Sequence, residues 1–194
     1  MFTIKQASKL IELARKSINA NFESKNIDLT EYKEFSKKQG VFVTLKKNGE
    51  LRGCIGYPRP YYSLNEAVNK CAIAAAFEDT RFEELKKSEL KDIEIELSIL
   101  TVPEKIIVKK PDDYLKKIKI GKDGLIVQNK FASGLLLPQV APEWNWDSLE
   151  FLENTCLKAG LSKNIWKEKE TEVYKFQAQI FAEQKGKIVE IHDN

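Results

Sequence analysis

A hairpin signal in the first third of the chain constrains the fold more than any other feature. The stretch "GVFVTLKKNGELRGCIG" contains two runs of β-branched and apolar residues, joined by Asn48-Gly49. Asn-Gly supplies the positive φ angles that a two-residue type I′ turn requires. The sequence therefore predicts that residues 41–47 and 50–56 pair as antiparallel strands.

Elsewhere the pattern predicts helices and strands that do not alternate as βαβ units. The segments "DIEIELSIL" and "EVYKFQAQIF" alternate apolar and polar residues and predict two half-buried strands, and Asp123-Gly124 marks a second hairpin. We therefore expect an α+β fold with a mainly antiparallel sheet and flanking helices. Three helices should each begin with a capping box, at Thr3 with Gln6, Ser63 with Glu66 and Asp147 with Glu150.

Composition and charge exclude several function classes. The 194 residues are 42% hydrophobic and 31% charged, which fits a compact globular protein. The net charge is only +3, with acids and bases interspersed, so nucleic-acid binding is not indicated. The chain has no apolar run of membrane-spanning length and no signal-type start, so we expect a cytoplasmic protein without a membrane role.

The cysteines and the single histidine limit the chemistry further. Cys54, Cys71 and Cys156 are widely spaced and form no C-x-x-C, which argues against a disulfide framework and against zinc. His192 lies three residues from the end, where a metal ligand or a catalytic base is poorly held. We therefore expect no metal and no cofactor, and any cysteine chemistry would have to proceed without histidine.

Cys54 is the candidate nucleophile, and two interpretations of it stay open. In a strand Arg52 and Cys54 share one face about 7 Å apart, and a nearby cation stabilises a thiolate. The glycines around Cys54 would leave room for a ligand. Alternatively, Cys54 is a small buried side chain that allows the alanine-rich segment "CAIAAAF" to pack closely as a helix.

Other polar residues are candidates for the same site. Glu94, Glu96 and Ser98 share one face of a strand, and a carboxylate there would be able to pair with Arg52 or act as a proton shuttle. The alternative is a solvated polar face. Arg81 either clamps an anionic substrate or ties the helix end through Asp79. Gln139, after an apolar triplet and a proline, is a candidate for an amide turned toward a cleft.

Five stretches of the chain are motifs of a known family: "LRGCIG", "AIAAAFEDTRF", "IEIELSIL", "GLLLPQVAPEWNWDSLEFLENTCLKAGL" and "VYKFQAQIF". Together they resemble the AMMECR domain family, and the match extends from the first helix to about residue 183. The resemblance implies a single domain over residues 1–194 without a linker, built from a larger and a smaller subdomain packed together. By position it implies a site formed by Arg52, Gly53, Cys54, Gly56, Asp79, Arg81, Glu94, Ser98 and Gln139.

The resemblance also implies a pathway shared with Memo-like and radical S-adenosylmethionine proteins, and two function classes follow. One is a small-molecule or peptide-binding site, enzymatic if Cys54, Arg52 and Glu94 act in catalysis, with Gly53, Gly56, Asp79, Arg81, Ser98 and Gln139 in binding. The other is a non-catalytic adaptor or regulatory module that binds a protein partner or nucleic acid.

Overall fold

A computed structural model describes residues 1–191, and these form two compact units. The first comprises residues 1–100 and 179–191, and the second comprises residues 101–178. His192 lies outside the described residues. The α-helices are α1 (Ile4–Phe22), α2 (Leu64–Phe77), α3 (Asp113–Lys117), α4 (Val140–Glu143) and α5 (Ser148–Lys158), with 3-10 helices at Leu29–Phe35, Lys87–Asp92 and Ile165–Lys167. The strands are β1 (Val41–Lys47), β2 (Glu50–Tyr57), β3 (Ile93–Leu100), β4 (Glu104–Lys105), β5 (Gly124–Gln128), β6 (Ser133–Leu136), β7 (Glu172–Phe176), β8 (Ala178–Gln184) and β9 (Lys187–Ile191).

The expected α+β class is confirmed, with one sheet of five strands and one of four. The five-stranded sheet has the order β2-β1-β3-β8-β9, and the four-stranded sheet has the order β4-β7-β5-β6. The pairs β1–β2, β1–β3, β5–β6, β5–β7 and β8–β9 are antiparallel. No helix within residues 1–191 is both long enough and apolar enough to cross a membrane.

The predicted first hairpin is confirmed. β1 and β2 pair antiparallel, with Val41 opposite Tyr57 and Lys47 opposite Glu50. Asn48 and Gly49 take φ angles of 54° and 83°, the left-handed values that the turn requires. This hairpin puts β2 at one edge of the five-stranded sheet.

Local capping signals fix where the long helices begin. The capping boxes of Thr3 with Gln6, Ser63 with Glu66 and Asp147 with Glu150 are all present. In the first unit, α1 and α2 contribute to one core with the inward residues of β1 and β3, among them Leu10, Val43 and Leu97. In the second unit, α5 and the 3-10 helix at Ile165–Lys167 contribute to a core around Phe151 and Trp166.

The second predicted hairpin is wrong. Asp123-Gly124 begins β5 instead of turning between two strands. The Asp123 carboxylate is buried and accepts a hydrogen bond from the Lys119 amide at 3.0 Å. A side chain at Gly124 would place its Cβ 2.4 Å from the Phe176 ring, so this glycine provides space for an aromatic residue. The turn that does join two strands of this sheet lies between β5 and β6.

The predicted single strand over "EVYKFQAQIF" is two strands in different sheets. β7 belongs to the four-stranded sheet and β8 to the five-stranded sheet, and Gln177 separates them. The backbone amide of Gln177 donates to the Thr101 hydroxyl at 2.9 Å, and the Thr101 amide donates to the Gln177 carbonyl at 2.8 Å. Alternation of apolar and polar residues along a segment carries no information about which strands pair.

The contact between α2 and β2 leads to a first prediction. A Cβ on Gly53 would lie 2.1 Å from the backbone carbonyl oxygen of Ala75. We therefore expect Gly53→Ala to lower the free energy of unfolding by about 3 kcal/mol or more, since an overpacked core cannot relax a backbone clash cheaply. Urea denaturation measures the loss.

Two further variants give this prediction its controls. Leu51→Ala, at a position that is 43% exposed on the same strand, should change the free energy of unfolding by less than about 0.5 kcal/mol. Adding Ala75→Gly to Gly53→Ala should not restore stability, because the clashing atom belongs to the backbone. Full rescue by that second change would contradict the assigned contact.

Candidate functional site

The face on which Cys54 lies follows from its neighbour Gly53. Because Gly53 faces α2, strand alternation turns Cys54 toward the opposite face of the sheet. Cys54 lies opposite Thr44 of β1, and Thr44 lies opposite Glu96 of β3. The residue that lets the alanine-rich helix approach is therefore Gly53, because it has no side chain. The interpretation of Cys54 as the helix-facing residue is wrong.

Gly56 has a different task on the same strand. It lies opposite Phe42 of β1, and a Cβ at this position would come within 2.3 Å of the Phe42 ring. The glycine thus provides room for an aromatic side chain on the face that carries Cys54. The two glycines of the motif therefore make room on opposite faces of the sheet, Gly53 for the backbone of α2 and Gly56 for the Phe42 ring.

The backbone of Cys54 is held by two side chains that follow α2. The Cys54 amide donates to Asp79 Oδ2 at 2.8 Å, and Arg81 Nη2 donates to the Cys54 carbonyl at 3.2 Å. β2 is an edge strand, so its outward amides and carbonyls need partners from outside the sheet. Asp79 and Arg81 provide these partners, and they pair with each other at 2.9 and 2.7 Å.

This pair combines a buried anion with a half-exposed cation. The Asp79 side chain is 4% exposed and the Arg81 side chain is 55% exposed. Hydrogen bonding to Arg81 holds the pKa of the Asp79 carboxyl well below its usual range. Arg81 Nε and Nη2 are fixed on Asp79, while Nη1 makes no hydrogen bond to any residue that the structure describes.

The thiol of Cys54 is partly accessible, and its proton is held more tightly than usual. Burial raises the pKa of Cys54, against the opposing effects of a hydrogen bond from Thr44 and the charge of Arg81. The Thr44 hydroxyl lies 3.2 Å from Sγ. The charges of Asp79 and Glu96 raise the pKa of the thiol further. The thiol is therefore predominantly protonated at neutral pH.

Arg52 has a partner that the sequence did not indicate. Its guanidinium binds Glu89 in a two-pronged ion pair, with Nε–Oε1 at 3.2 Å and Nη2–Oε2 at 3.1 Å. It also donates to the carbonyl of Glu83 at 2.8 Å, and Lys47 joins Glu89 at 2.9 Å. Hydrogen bonding to Arg52 lowers the pKa of Glu89 to about 2.

These contacts correct the expected role of Arg52. The interpretation in which Arg52 pairs with Glu94 or Glu96 and stabilises a Cys54 thiolate is wrong, because its partner is Glu89 and the cation that acts on the thiol is Arg81. Glu89 is 37 residues from Arg52 in a short 3-10 helix and belongs to no recognisable motif. Only the folded chain brings the two together.

The candidate acids of β3 have their own environment. Glu96 forms an ion pair with Lys46 at 2.7 Å, and the Glu96 side chain is 14% exposed. Glu94 lies opposite Lys46 in the register, and Ser98 is buried. Within the described residues, neither Glu94 nor Glu96 is hydrogen-bonded to Arg52 or to Cys54. Of the two, Glu96 is the one whose charge reaches the thiol.

The remaining candidate, Gln139, belongs to the second unit, immediately before α4. Its Oε1 atom is buried and has no hydrogen-bond partner among residues 1–191. The same residues contain no group of three or more His, Cys, Asp or Glu side chains arranged to hold a metal ion.

The fold and the motif define a class of protein. It is an α+β protein of two compact units, in which a cysteine on an edge strand is held by an Asp–Arg pair. A family model described as AMMECR1 matches residues 11–181. The chain belongs to the AMMECR1 family.

Relatives and a solved structure agree with this assignment. A protein of Methanothermobacter thermautotrophicus is 51% identical over 177 residues, covering 90% of this chain and 92% of the relative. A protein of Methanocaldococcus jannaschii is 44% identical over 195 residues, covering 98% and 97%. The crystal structure of an uncharacterized protein from Pyrococcus horikoshii superposes with a TM-score of 0.90 at 43% identity, covering 97% of this chain and 98% of that one.

The Asp79 contacts lead to a second prediction. Asp79→Ala removes the acceptor of the Cys54 amide and the partner of Arg81, so we expect a loss of about 3 kcal/mol in the free energy of unfolding at pH 7. The folded pKa of Asp79 is lowered, so its stabilisation is complete above the unfolded value of about 3.9 and declines as pH falls below it. The gap between wild type and variant should therefore narrow from about pH 4 downward in urea denaturation.

The matched control is Glu78→Ala, because Glu78 is the exposed acid next to Asp79. It should leave stability within about 0.5 kcal/mol of wild type. A gap between wild type and Asp79→Ala that stays constant from pH 7 to pH 3 would count against the assigned ion pair.

Proposed function

We propose that the Cys54 strand is the binding site for a small molecule or peptide-like ligand that carries an anionic group. The observation that carries the proposal is the position of Arg81, a half-exposed guanidinium whose charge acts on a partly accessible thiol. Asp79 fixes one edge of that guanidinium, and Nη1 has no hydrogen-bond partner among the described residues. An anion held by Arg81 would place its neighbouring atoms beside Cys54.

Guanidinium chemistry supports an anionic ligand. Arginine binds carboxylates and phosphates in fixed geometries, and holding it in advance reduces the entropy lost on binding. Thr44 adds a hydroxyl beside the thiol, so the ligand would meet a cation, a hydroxyl and a neutral sulfur. We place this site in the cytoplasm, where thiols stay reduced.

The enzymatic form of the proposal makes Cys54 the group that reacts. A cysteine attacks as the thiolate, and its raised pKa keeps that form scarce at neutral pH until a ligand or partner changes the surroundings. In this form Cys54 reacts, Arg81 orients the ligand, and Arg52 positions β2 through Glu89. Glu94 forms no hydrogen bond with the thiol within the described residues, so we assign it no catalytic role.

A second candidate function is a non-catalytic adaptor, and one observation favours it. The charged residues of the motif fasten the edge strand, with Asp79 on the Cys54 amide and Arg81 on its carbonyl. Residues used in this way shape a rigid surface for a protein partner. Memo-like and radical S-adenosylmethionine proteins are the partners that the family resemblance suggests. Co-purification of the tagged chain from its native cells tests this partner class.

Cysteine labelling tests the ligand proposal. With a neutral alkylating reagent, we expect Cys54 to react in the native protein while Cys71 and Cys156, which are both fully buried, do not. The rate at Cys54 should rise with pH to a midpoint above the ordinary thiol pKa of about 8.5, because burial disfavours the thiolate. Mass spectrometry of the labelled peptides measures each site.

The ligand-dependent arm uses the same readout. Small carboxylates, phosphates and peptides that bind at Arg81 should slow the labelling of Cys54, and Arg81→Gln should abolish this protection. Lys87→Gln removes an exposed cation from the same unit and should leave the protection unchanged. If Cys54 labels only after unfolding, the ligand site is not at this thiol. A Cys54→Ser variant that fully complements a deletion would favour the adaptor.

A further inference from the structure

The second unit contains a cavity that none of the motif residues lines. Its volume is about 300 Å³, within the range of small-molecule sites. Trp166 and Tyr114 form part of its wall and meet edge to face with ring centroids 6.4 Å apart. Its charged lining residues are four lysines and one glutamate, a formal excess of three positive charges: Lys109, Lys110, Lys167, Lys169 and Glu168.

The indole of Trp166 supplies a hydrogen-bond donor that the protein leaves unused. Trp166 is 2% exposed, and its Nε1 atom is buried without a partner among residues 1–191. An unpaired buried donor costs about 1–3 kcal/mol, and such groups in native proteins point to a bound water, ion or ligand. The ammonium of Lys167 lies 5.0 Å from the indole centroid, which concentrates positive charge at the same residue.

The lysines of the cavity have no acidic partner among the described residues, whereas several other lysines of the same unit do. Lys105 and Lys116 each have an acidic partner, at 2.6 Å and 3.0 Å. Lys109, Lys110 and Lys169 form no ion pair with any described residue. Like charges around one concave surface repel each other and attract anions, so a bound anion would relieve this repulsion.

We propose that this cavity binds a small molecule through a phosphate group. The lysines neutralise the phosphate as point charges, and a small turn of the Trp166 side chain brings its buried Nε1–H to a phosphate oxygen. A phosphate monoester carries close to two negative charges at neutral pH, which matches the excess of three positive charges better than a single carboxylate does. The volume of the cavity suits a small molecule, and the site is independent of Cys54 and of the function proposed for it.

Nuclear magnetic resonance of the indole N–H groups tests the proposal on the intact chain. The three tryptophans give three indole resonances, and Trp166→Phe assigns the one that matters. We expect inorganic phosphate and phenyl phosphate to shift the Trp166 resonance saturably, while the resonance of Trp144, which is 67% exposed, stays in place. Acetate at the same ionic strength should produce no saturable shift.

Charge variants provide the second arm, with Trp166 kept as the reporter. Lys109→Gln and Lys169→Gln should each weaken phenyl phosphate binding by about tenfold or more, the range of a hydrogen bond to a charged group. Lys122→Gln removes an exposed lysine of the same unit that does not line the cavity, and should leave the affinity unchanged.

Several results would overturn the proposal. One is a Trp166 indole resonance that does not shift on addition of phosphate, which would mean that the indole N–H binds a buried water instead. Another is an equal effect of acetate or of Lys122→Gln, which would mean general ionic attraction. A third is a response to single-stranded RNA without a response to phenyl phosphate, which would assign the cavity to a macromolecule.

Discussion

The approach of α2 to β2 at Gly53 is the constraint on which the geometry of the motif depends. Ala75 brings its carbonyl to a point that any side chain at Gly53 would occupy. That contact decides which face of β2 meets the helix and therefore which face carries Cys54. It also puts the residues that follow α2 beside the edge of the sheet, where Asp79 and Arg81 take up the Cys54 amide and carbonyl.

The electrostatics of the site follow from this arrangement. A buried carboxylate is stable only when it is paired, and Arg81 pairs with Asp79 from a half-exposed position. The same guanidinium favours a thiolate at Cys54, but burial of the sulfur outweighs it. The outcome is a neutral thiol next to a cation, and the proposed recognition of an anion rests on this combination.

The two units contain different kinds of polar groups that lack a partner within the described residues. In the first unit one such group is a partly exposed guanidinium edge, that of Arg81, beside the edge strand β2. In the second it is a buried indole N–H with lysines that have no acidic partner within the described residues. Other groups of the same types, such as Arg52 with Glu89 and Lys105 with Glu172, have acidic partners.

The sequence by itself determined the local elements, because their signals lie within a few residues of one another. The Asn48-Gly49 turn and the three capping boxes need only their own neighbours, and the family motifs identified Asp79 and Arg81 as site candidates. Tertiary structure decided the pairing. It assigned Glu89 to Arg52, separated β7 from β8 at Gln177, and buried Asp123 where a turn was expected. It also made Gly53, not Cys54, the residue that meets the helix. Such outcomes depend on contacts between distant segments. Alternation indicates which side chains lie on the same face of a strand, but it does not indicate which segment packs against that face.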